Sequence, residues 1–191
     1  MPVFANAAQF AGSRPFEAAS GAGAEIVDPH GRVIGRVSTG GVISPTRHET
    51  RAGDILFRFG GTGVPPQKIA LGAWWMEKAS FEKVLSFAMT HGISVGMATR
   101  VLCLVPPEWS NLGTLIRAAA RQPLLAYRGL GNSVVVPKSD GFGAVRLPHQ
   151  NEIAARRVHQ LFIPGLGPDM IAVEQSWVMD PKAAMRGFIY L

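Results

Sequence analysis

Arg58 lies inside an otherwise apolar strand pattern, DILFRFGG. A planar guanidinium holds phosphate oxygens with two parallel hydrogen bonds, a geometry that lysine does not reproduce. Gly60 and Gly61 follow at once, and glycine lets a backbone approach a ligand closely. We therefore predict that Arg58, Gly60 and Gly61 bind a phosphate group. The alternative is that Arg58 reaches solvent from an edge strand or pairs with a carboxylate.

Aromatic side chains that could hold a flat ring occur in the segments GAWWMEK and LLAYRGL. Trp74 and Trp75 point to opposite faces of an extended chain, so one enters the core and the other remains available for a ligand ring. A cationic ring would add a cation–π attraction. Tyr127 is a second candidate for this contact, and Arg128 leads into glycines that could form a phosphate-binding turn. Structural tryptophans and a plain β-turn are the alternative interpretations.

Two later segments, HQLFIPG and MIAVEQSWV, supply candidates for the reacting centre. Gln160 offers an uncharged amide oxygen, whereas Glu174 offers a carboxylate. The alternative for Gln160 is that it caps a core strand. Other catalytic signatures are missing, because HET at residues 48–50 lacks the second histidine of a zinc helix, and neither a G-x-S-x-G elbow nor a Walker lysine occurs. We therefore expect no metal site.

The elements that position these residues predict an α+β domain of short, mainly antiparallel strands with one or two helices. In DILFRFG, Phe57 lies on one face and Leu56 and Arg58 on the other. SFEKVLSFAMTHG has the apolar spacing of a helix with Ser80 as its N-cap. NLGTLIRAAARQ predicts a second helix, ATRVLCLVPP a buried strand, TGGVISPTRHETRAG a loop and AEIVDPHGRVIGRVS a hairpin. Five further segments predict strands: LLAYRGL, NSVVVP, HQLFIPG, MIAVEQSWV and GFIYL.

Composition and charge limit the protein class. The 191 residues are 47% hydrophobic and 17% charged, which fits one globular domain. We assign residues 23–191 to this domain and residues 1–22 to an N-terminal arm that is flexible or docked on a partner. The single Cys103 excludes an internal disulfide, and neither a membrane span nor a classical signal peptide is visible. The net charge of +6 favours nucleic acid, an anionic cofactor or an acidic protein, although scattered arginines disfavour a dedicated nucleic-acid binder.

The order of these segments resembles the ADP-ribosyltransferase fold, with its split β-sandwich-like core, and in particular the toxin branch of that superfamily. GDILFRFGG is similar to the arginine strand of NAD glycohydrolase toxins of the tuberculosis necrotizing toxin type. HQLFIPGL is similar to the strand in which many ADP-ribosyltransferases carry their catalytic glutamate. The resemblance covers roughly residues 53–178 and implies that NAD is the substrate.

The resemblance also implies roles for individual residues. Arg58 would hold the pyrophosphate of NAD, and Trp74 or Trp75 falls on the second-motif strand, where the usual Ser-Thr-Ser is missing. Gln160 falls where transferases have glutamate, and the necrotizing toxin type uses a glutamine. Glu174 would replace it only in a different strand register. Apart from the resemblance, Tyr127, which can hold the nicotinamide ring, and Arg128 complete the predicted NAD contacts.

We therefore predict an NAD-cleaving toxin or effector domain, either a glycohydrolase or an ADP-ribosyltransferase. Hydrolysis ranks first, because an amide at position 160 cannot act as a general base and water needs less activation than a protein nucleophile. The resemblance implies an acidic inhibitor or immunity protein as partner, and a protein that is cytoplasmic in its producer or delivered into a target cell. The alternative function is a non-catalytic partner-binding protein, such as a secretion-system adaptor or a toxin neutraliser. Nucleic-acid binding is a third hypothesis, which only the charge supports.

Overall fold

The computed structural model describes residues 3–21, 25–27, 30, 32–36, 38–137 and 144–185. Within these residues the chain forms strands and helices in a mixed α+β domain. The strands are β1 (Glu25–Val27), β2 (Val33–Arg36), β3 (Ser38–Thr39), β4 (Val42–Thr50), β5 (Ile55–Gly60), β6 (Trp74–Glu77), β7 (Thr114–Ala120), β8 (Leu124–Gly131), β9 (Val134–Pro137), β10 (Ala144–Leu147), β11 (His159–Phe162) and β12 (Ile171–Val178). The α-helices are α1 (Arg14–Ser20), α2 (Pro66–Ile69), α3 (Lys78–His91) and α4 (Val95–Leu102).

Seven strands form the main sheet in the order β12-β7-β5-β6-β11-β8-β4, and every neighbouring pair is antiparallel. The short strand β6 divides its pairing between two neighbours. Met76 and Glu77 pair with β5, whereas Trp74 and Trp75 pair with β11. The pairing of β5 with β6 ends at Phe57, so the sheet splits beside Arg58.

Apolar side chains cover both faces of this sheet. On one face, Leu56 and Trp75 pack in a core with buried residues of β7, β8 and β11. On the other face, Phe57 and Met76 pack with the buried side of α3, and the rings of Phe57 and Phe81 stack with centroids 4.1 Å apart. This alternation confirms the predicted faces of β5.

A smaller sheet of three antiparallel strands, ordered β10-β9-β3, lies beside the main one. Its buried valines and Leu147 form a third core with Leu104, which follows α4. β1 and β2 form a separate antiparallel pair, which confirms the predicted hairpin, although most of its turn lies outside the described residues.

The N-terminal segment, predicted as an arm, contacts the domain through a few buried or half-buried residues. Asn6 is fully buried, donates hydrogen bonds to the carbonyl oxygens of Leu125 and Pro164 and accepts one from the backbone N–H of Leu125. Phe10 stacks on Tyr127 with ring centroids 4.4 Å apart. These contacts fasten the segment to β8 of the same chain.

Three element predictions were wrong. The segment at residues 39–53, predicted as a loop, contains β4, a sheet-edge strand that accommodates Pro45 in a bulge, where proline removes no ladder hydrogen bond. Residues 98–107, predicted as a strand, contribute to the buried helix α4, since continuous apolar runs do not distinguish the two. Residues 111–122, predicted as a helix, contain β7, because pairing with both β5 and β12 overrides the helix propensity of its alanines.

One helix prediction and four strand predictions are confirmed. The helix predicted at residues 80–92 is confirmed as α3, although it begins at Lys78 and its N-cap is Glu77, so Ser80 lies inside the helix and is buried. Strands β8, β9, β11 and β12 are confirmed. The strand predicted for GFIYL lies outside the described residues. No helix in the described part of the chain has the length and apolar character needed to span a membrane.

Candidate functional site

A cavity of about 210 Å³ lies where the main sheet splits. Its walls come from β5 and β6, from the start of β11 and from the segment between α4 and β7. Four of the residues predicted to act in a site, Arg58, Trp74, Trp75 and Gln160, line this cavity together. They come from three strands, β5, β6 and β11, which are consecutive neighbours in the sheet.

Arg58 fills the gap between β5 and β6. Its Nη1 donates a hydrogen bond to the carbonyl oxygen of Trp74, so the guanidinium bridges the two strands where their ladder ends. Gly72 lies directly against it, because a Cβ on Gly72 would come within 2.0 Å of Arg58 Nη2. Glycine at position 72 is therefore required for the observed position of Arg58.

The charge of Arg58 has no anionic partner among the described residues, and its buried Nε has no hydrogen-bond partner there. Burial alone lowers the pKa of Arg58 from 12.5 to about 10. The guanidinium stays protonated at neutral pH, but it is held in an environment that disfavours its charge. A desolvated cation beside a cavity whose described lining contains no carboxylate is a feature that many functional sites share.

The two tryptophans divide as the alternation predicts. Trp75 is only 2% exposed and donates from Nε1 to the carbonyl oxygen of Gly72, so its indole belongs to the core. Trp74 is half-buried and meets Phe162 edge to face, with ring centroids 5.0 Å apart. The face of Trp74 is therefore the one available to a ligand ring.

Gln160 presents its amide to the cavity from β11. Its Nε2 donates to the carbonyl oxygen of Cys103 at 3.2 Å, which fixes the orientation of the amide. A Cβ on Gly131 would lie 3.0 Å from this Nε2, so the glycine leaves the space that the amide uses. With the nitrogen anchored, the oxygen of Gln160 is the group that can accept a hydrogen bond from a ligand hydroxyl.

Two residues that the sequence interpretation missed shape the same cavity. Trp109 is 47% exposed and lines it from the segment after α4. Arg100 is fully buried and donates to the carbonyl oxygens of Val105, Ser110 and Ala184. The sequence contained a signal for Arg100, because this arginine directly precedes the apolar run VLCLV, much as Arg58 lies within an apolar strand.

The thiol of Cys103 also lines the cavity, but it is not an activated nucleophile. Burial raises its pKa to about 12, and the sulfur lies 3.4 Å from that of Met76. A thiol with this pKa is protonated at neutral pH, and only the thiolate reacts. Cys103 therefore acts here as a small apolar group and, through its carbonyl oxygen, as the anchor of Gln160.

The other predicted residues lie elsewhere. Tyr127 holds the N-terminal segment through Phe10, and Arg128 donates to Glu77 Oε2 at 2.8 Å and lines a second cavity. Glu174 forms an ion pair with Arg117 at the β12 edge of the sheet. A Cβ at Gly60 would lie 2.5 Å from Ile69, so this glycine serves the packing of α2. Gly61 follows β5 outside the cavity lining.

No cluster of three or more metal-binding side chains occurs in the described ranges.

No protein-family model matches the chain, and no curated protein does. Among solved structures, Rhs1-CT in complex with the cognate immunity protein RhsI1 has 16% identity over 78% of this chain and 89% of that chain, with a TM-score of 0.42. The structure of Tne2 in complex with Tni2 has 9% identity over 71% of this chain and 92% of that chain, with a TM-score of 0.39.

Proposed function

We propose that the protein cleaves NAD at the bond between nicotinamide and ribose, with water as the acceptor. The observation that carries this proposal is Arg58, a desolvated guanidinium without a carboxylate partner in the described structure, lining a cavity with Trp74 and Gln160. The resemblance named these three positions for the pyrophosphate, the aromatic strand and the catalytic strand. Their convergence in one cavity supports that assignment.

Each group has a task in this reaction. Arg58 binds the pyrophosphate, Trp74 and Trp109 hold the pyridinium ring, and the Gln160 oxygen accepts a hydrogen bond from a ribose hydroxyl. The bond from ribose C1′ to the pyridinium nitrogen breaks, and nicotinamide leaves with the electron pair. The oxocarbenium-like ribose is then attacked by the oxygen of water, which loses a proton and gives ADP-ribose.

The cavity favours hydrolysis over transfer to a protein. None of its described lining residues is acidic, and Glu174, the alternative carboxylate, is paired with Arg117 at the sheet edge. Activating a protein nucleophile requires a base that Gln160 cannot provide. The volume of about 210 Å³ is small for a whole dinucleotide, so it would enclose one end of NAD and leave the other outside.

The same features bear on the alternative of a non-catalytic partner-binding protein. A salt bridge to Arg58 would favour that function. No ion pair to Arg58 occurs among the described residues, so this observation does not support the alternative. We further propose that the enzyme is a toxin, acting in the cytoplasm of a target cell, and that its producer holds it in check with an acidic inhibitor. A chain with a net charge of +6 is suited to such a partner.

The test is the release of nicotinamide from NAD by the purified protein, followed by chromatography. We expect hydrolysis by the wild type and a loss of about 10- to 100-fold in Gln160→Ala, the effect of one hydrogen bond made in the transition state. Glu174→Gln is the matched control, because it removes the other candidate while leaving the cavity intact, and we expect it to retain activity. A folded wild-type protein that neither releases nicotinamide from NAD nor binds NAD would rule out the proposal.

A further inference from the structure

A second cavity, of about 480 Å³, shares no lining residue with the first. His159 and Gln160 are consecutive in β11, so their side chains point to opposite faces. Gln160 lines the first cavity and His159 lines the second. The second cavity is bounded by β4, by the end of β8 and by residues 149–157, and the proposed reaction does not use it.

The charged side chains among the described lining of this cavity are all basic, and they lie beside the apolar Ile43 and Leu130. Arg128, Arg157, His149 and His159 contribute to it, together with hydroxyl and amide groups, and none of the described lining residues is acidic. Burial lowers the pKa of His159, Arg128 and Lys83 lower it further, and Glu77 acts in the opposite direction. Arg128 and Lys83 therefore place positive potential at this imidazole, which Glu77 partly offsets.

The nitrogens of these side chains are only partly used. Arg128 donates from Nε to Glu77 Oε2 at 2.8 Å, and Arg157 donates from Nε to the carbonyl oxygen of Asn151 at 2.7 Å. In both cases Nε is the anchored atom, which fixes the guanidinium and leaves its two Nη groups as the donors for a ligand. The Nδ1 atom of His149 is buried and has no hydrogen-bond partner in the described structure. Buried polar atoms are rarely left in this state.

The backbone of β4 is distorted at the same place. Ser44 has a φ of 47°, a left-handed conformation that is uncommon for residues other than glycine. It lies within the bulge between Ile43 and Thr46, and Thr46 Oγ1 donates to the carbonyl oxygen of Arg128. The bulge brings the side chains of β4 to the cavity, and bulges and such backbone conformations are concentrated at functional sites.

We propose that this second cavity binds a phosphate-bearing small anion, with Arg157, Arg128 and His149 as its donors. The phosphate group is the shared chemistry of two sources, free phosphate and a nucleotide. Two fixed guanidinium groups suit its oxygens better than lysine would, because each presents two donors in one plane. The inference stands apart from NAD cleavage, since it uses none of the residues of the first cavity.

The experiment is a titration of the wild-type protein with inorganic phosphate, followed by the NMR signals of the imidazole rings. We expect the signals of His149 and His159 to move with saturation. Arg157→Gln should weaken binding about 10- to 100-fold, the value of one charged hydrogen bond. Arg156→Gln is the matched control, because it removes the same charge at the neighbouring position. The Arg156 side chain lies over Phe87 and does not line the cavity, so this substitution should change the affinity less than twofold.

Titrations with ADP and adenosine separate the two sources. If ADP binds more tightly than phosphate, if Arg157→Gln loses this binding, and if adenosine does not bind, the site is assigned to a nucleotide phosphate. If ADP and phosphate bind equally tightly, it is assigned to free phosphate. Unmoved signals of His149 and His159, or equal weakening by Arg156→Gln and Arg157→Gln, would overturn the proposal. NAD cleavage by the same samples, measured separately, distinguishes failure of this site from failure of the proposed enzyme.

Discussion

Replacing Arg58 by methionine should separate binding from stability. The difference between a pKa of 12.5 and one of about 10 corresponds to roughly 3 kcal/mol, at about 1.36 kcal/mol per pH unit. Because the folded-state pKa is the lower one, this energy opposes folding at neutral pH, where the arginine is charged in both states. Partial contact with solvent at the cavity reduces it to about 1–2 kcal/mol.

The hydrogen bond to the Trp74 carbonyl oxygen acts in the opposite direction. Its loss costs about 1 kcal/mol, since water that enters the cavity can reach the freed oxygen. The two effects nearly cancel. We expect the free energy of unfolding of Arg58→Met to lie within about 1 kcal/mol of the wild-type value, or to exceed it. We expect the NAD affinity to fall at least about 100-fold, because two charged hydrogen bonds to the ligand are lost.

Urea unfolding and calorimetric titration with NAD measure the two quantities on the same samples. Arg58→Lys is the second variant, because it keeps a positive charge but lacks the planar pair of donors, and it should also lose most of the affinity. The reasoning is refuted if Arg58→Met unfolds several kcal/mol more easily than the wild type while NAD binding is unchanged. Arg58 would then be a structural residue of the sheet.

Three further predictions follow from other groups. Arg100→Met should lower the free energy of unfolding by about 3 kcal/mol or more in urea, because it leaves three carbonyl oxygens without their donor. Hydrogen bonding to His48, and then to Arg128, lowers the pKa of Glu77 from 4.5 to about 2. The ionised Glu77 therefore contributes about 1–2 kcal/mol to the free energy of unfolding above pH 4.5, and this contribution disappears as the pH falls towards 2. Thermal unfolding across that range should show a smaller decline for Glu77→Gln than for the wild type. Cys103, with a pKa raised to about 12, should resist iodoacetamide at pH 8 in the folded protein and react in denaturant, as followed by mass spectrometry.

The fold could be predicted where local patterns agree with tertiary contacts. The alternation in β5 and the apolar spacing in α3 each describe one buried face, and the structure buries those faces. β7 could not be predicted in this way, because its run of three alanines favours a helix until β5 and β12 pair with it on both sides. Ala118 and Ala120 are buried between larger neighbours, a packing that no local window contains.

The candidate site was partly predictable for a related reason. Arg58 and Gln160 stand out because each is a polar side chain within or beside an apolar strand. Trp109 carries no such signal, since its neighbours are polar and its place at the cavity depends on the hydrogen bonds of Arg100 to Val105 and Ser110. Tyr127 looked equally suited to a ring, but the docking of Phe10 occupies its face.

The split of the sheet and the position of Arg58 have one cause. β6 has only four residues and must pair with both β5 and β11, so each neighbour receives half of it. The backbone beyond Phe57 consequently lacks a partner on that side, and the Arg58 guanidinium takes one carbonyl oxygen, that of Trp74, which a longer ladder would have satisfied. A longer β6 would close the gap and remove the cavity. We infer that the short strand is what makes the desolvated guanidinium possible.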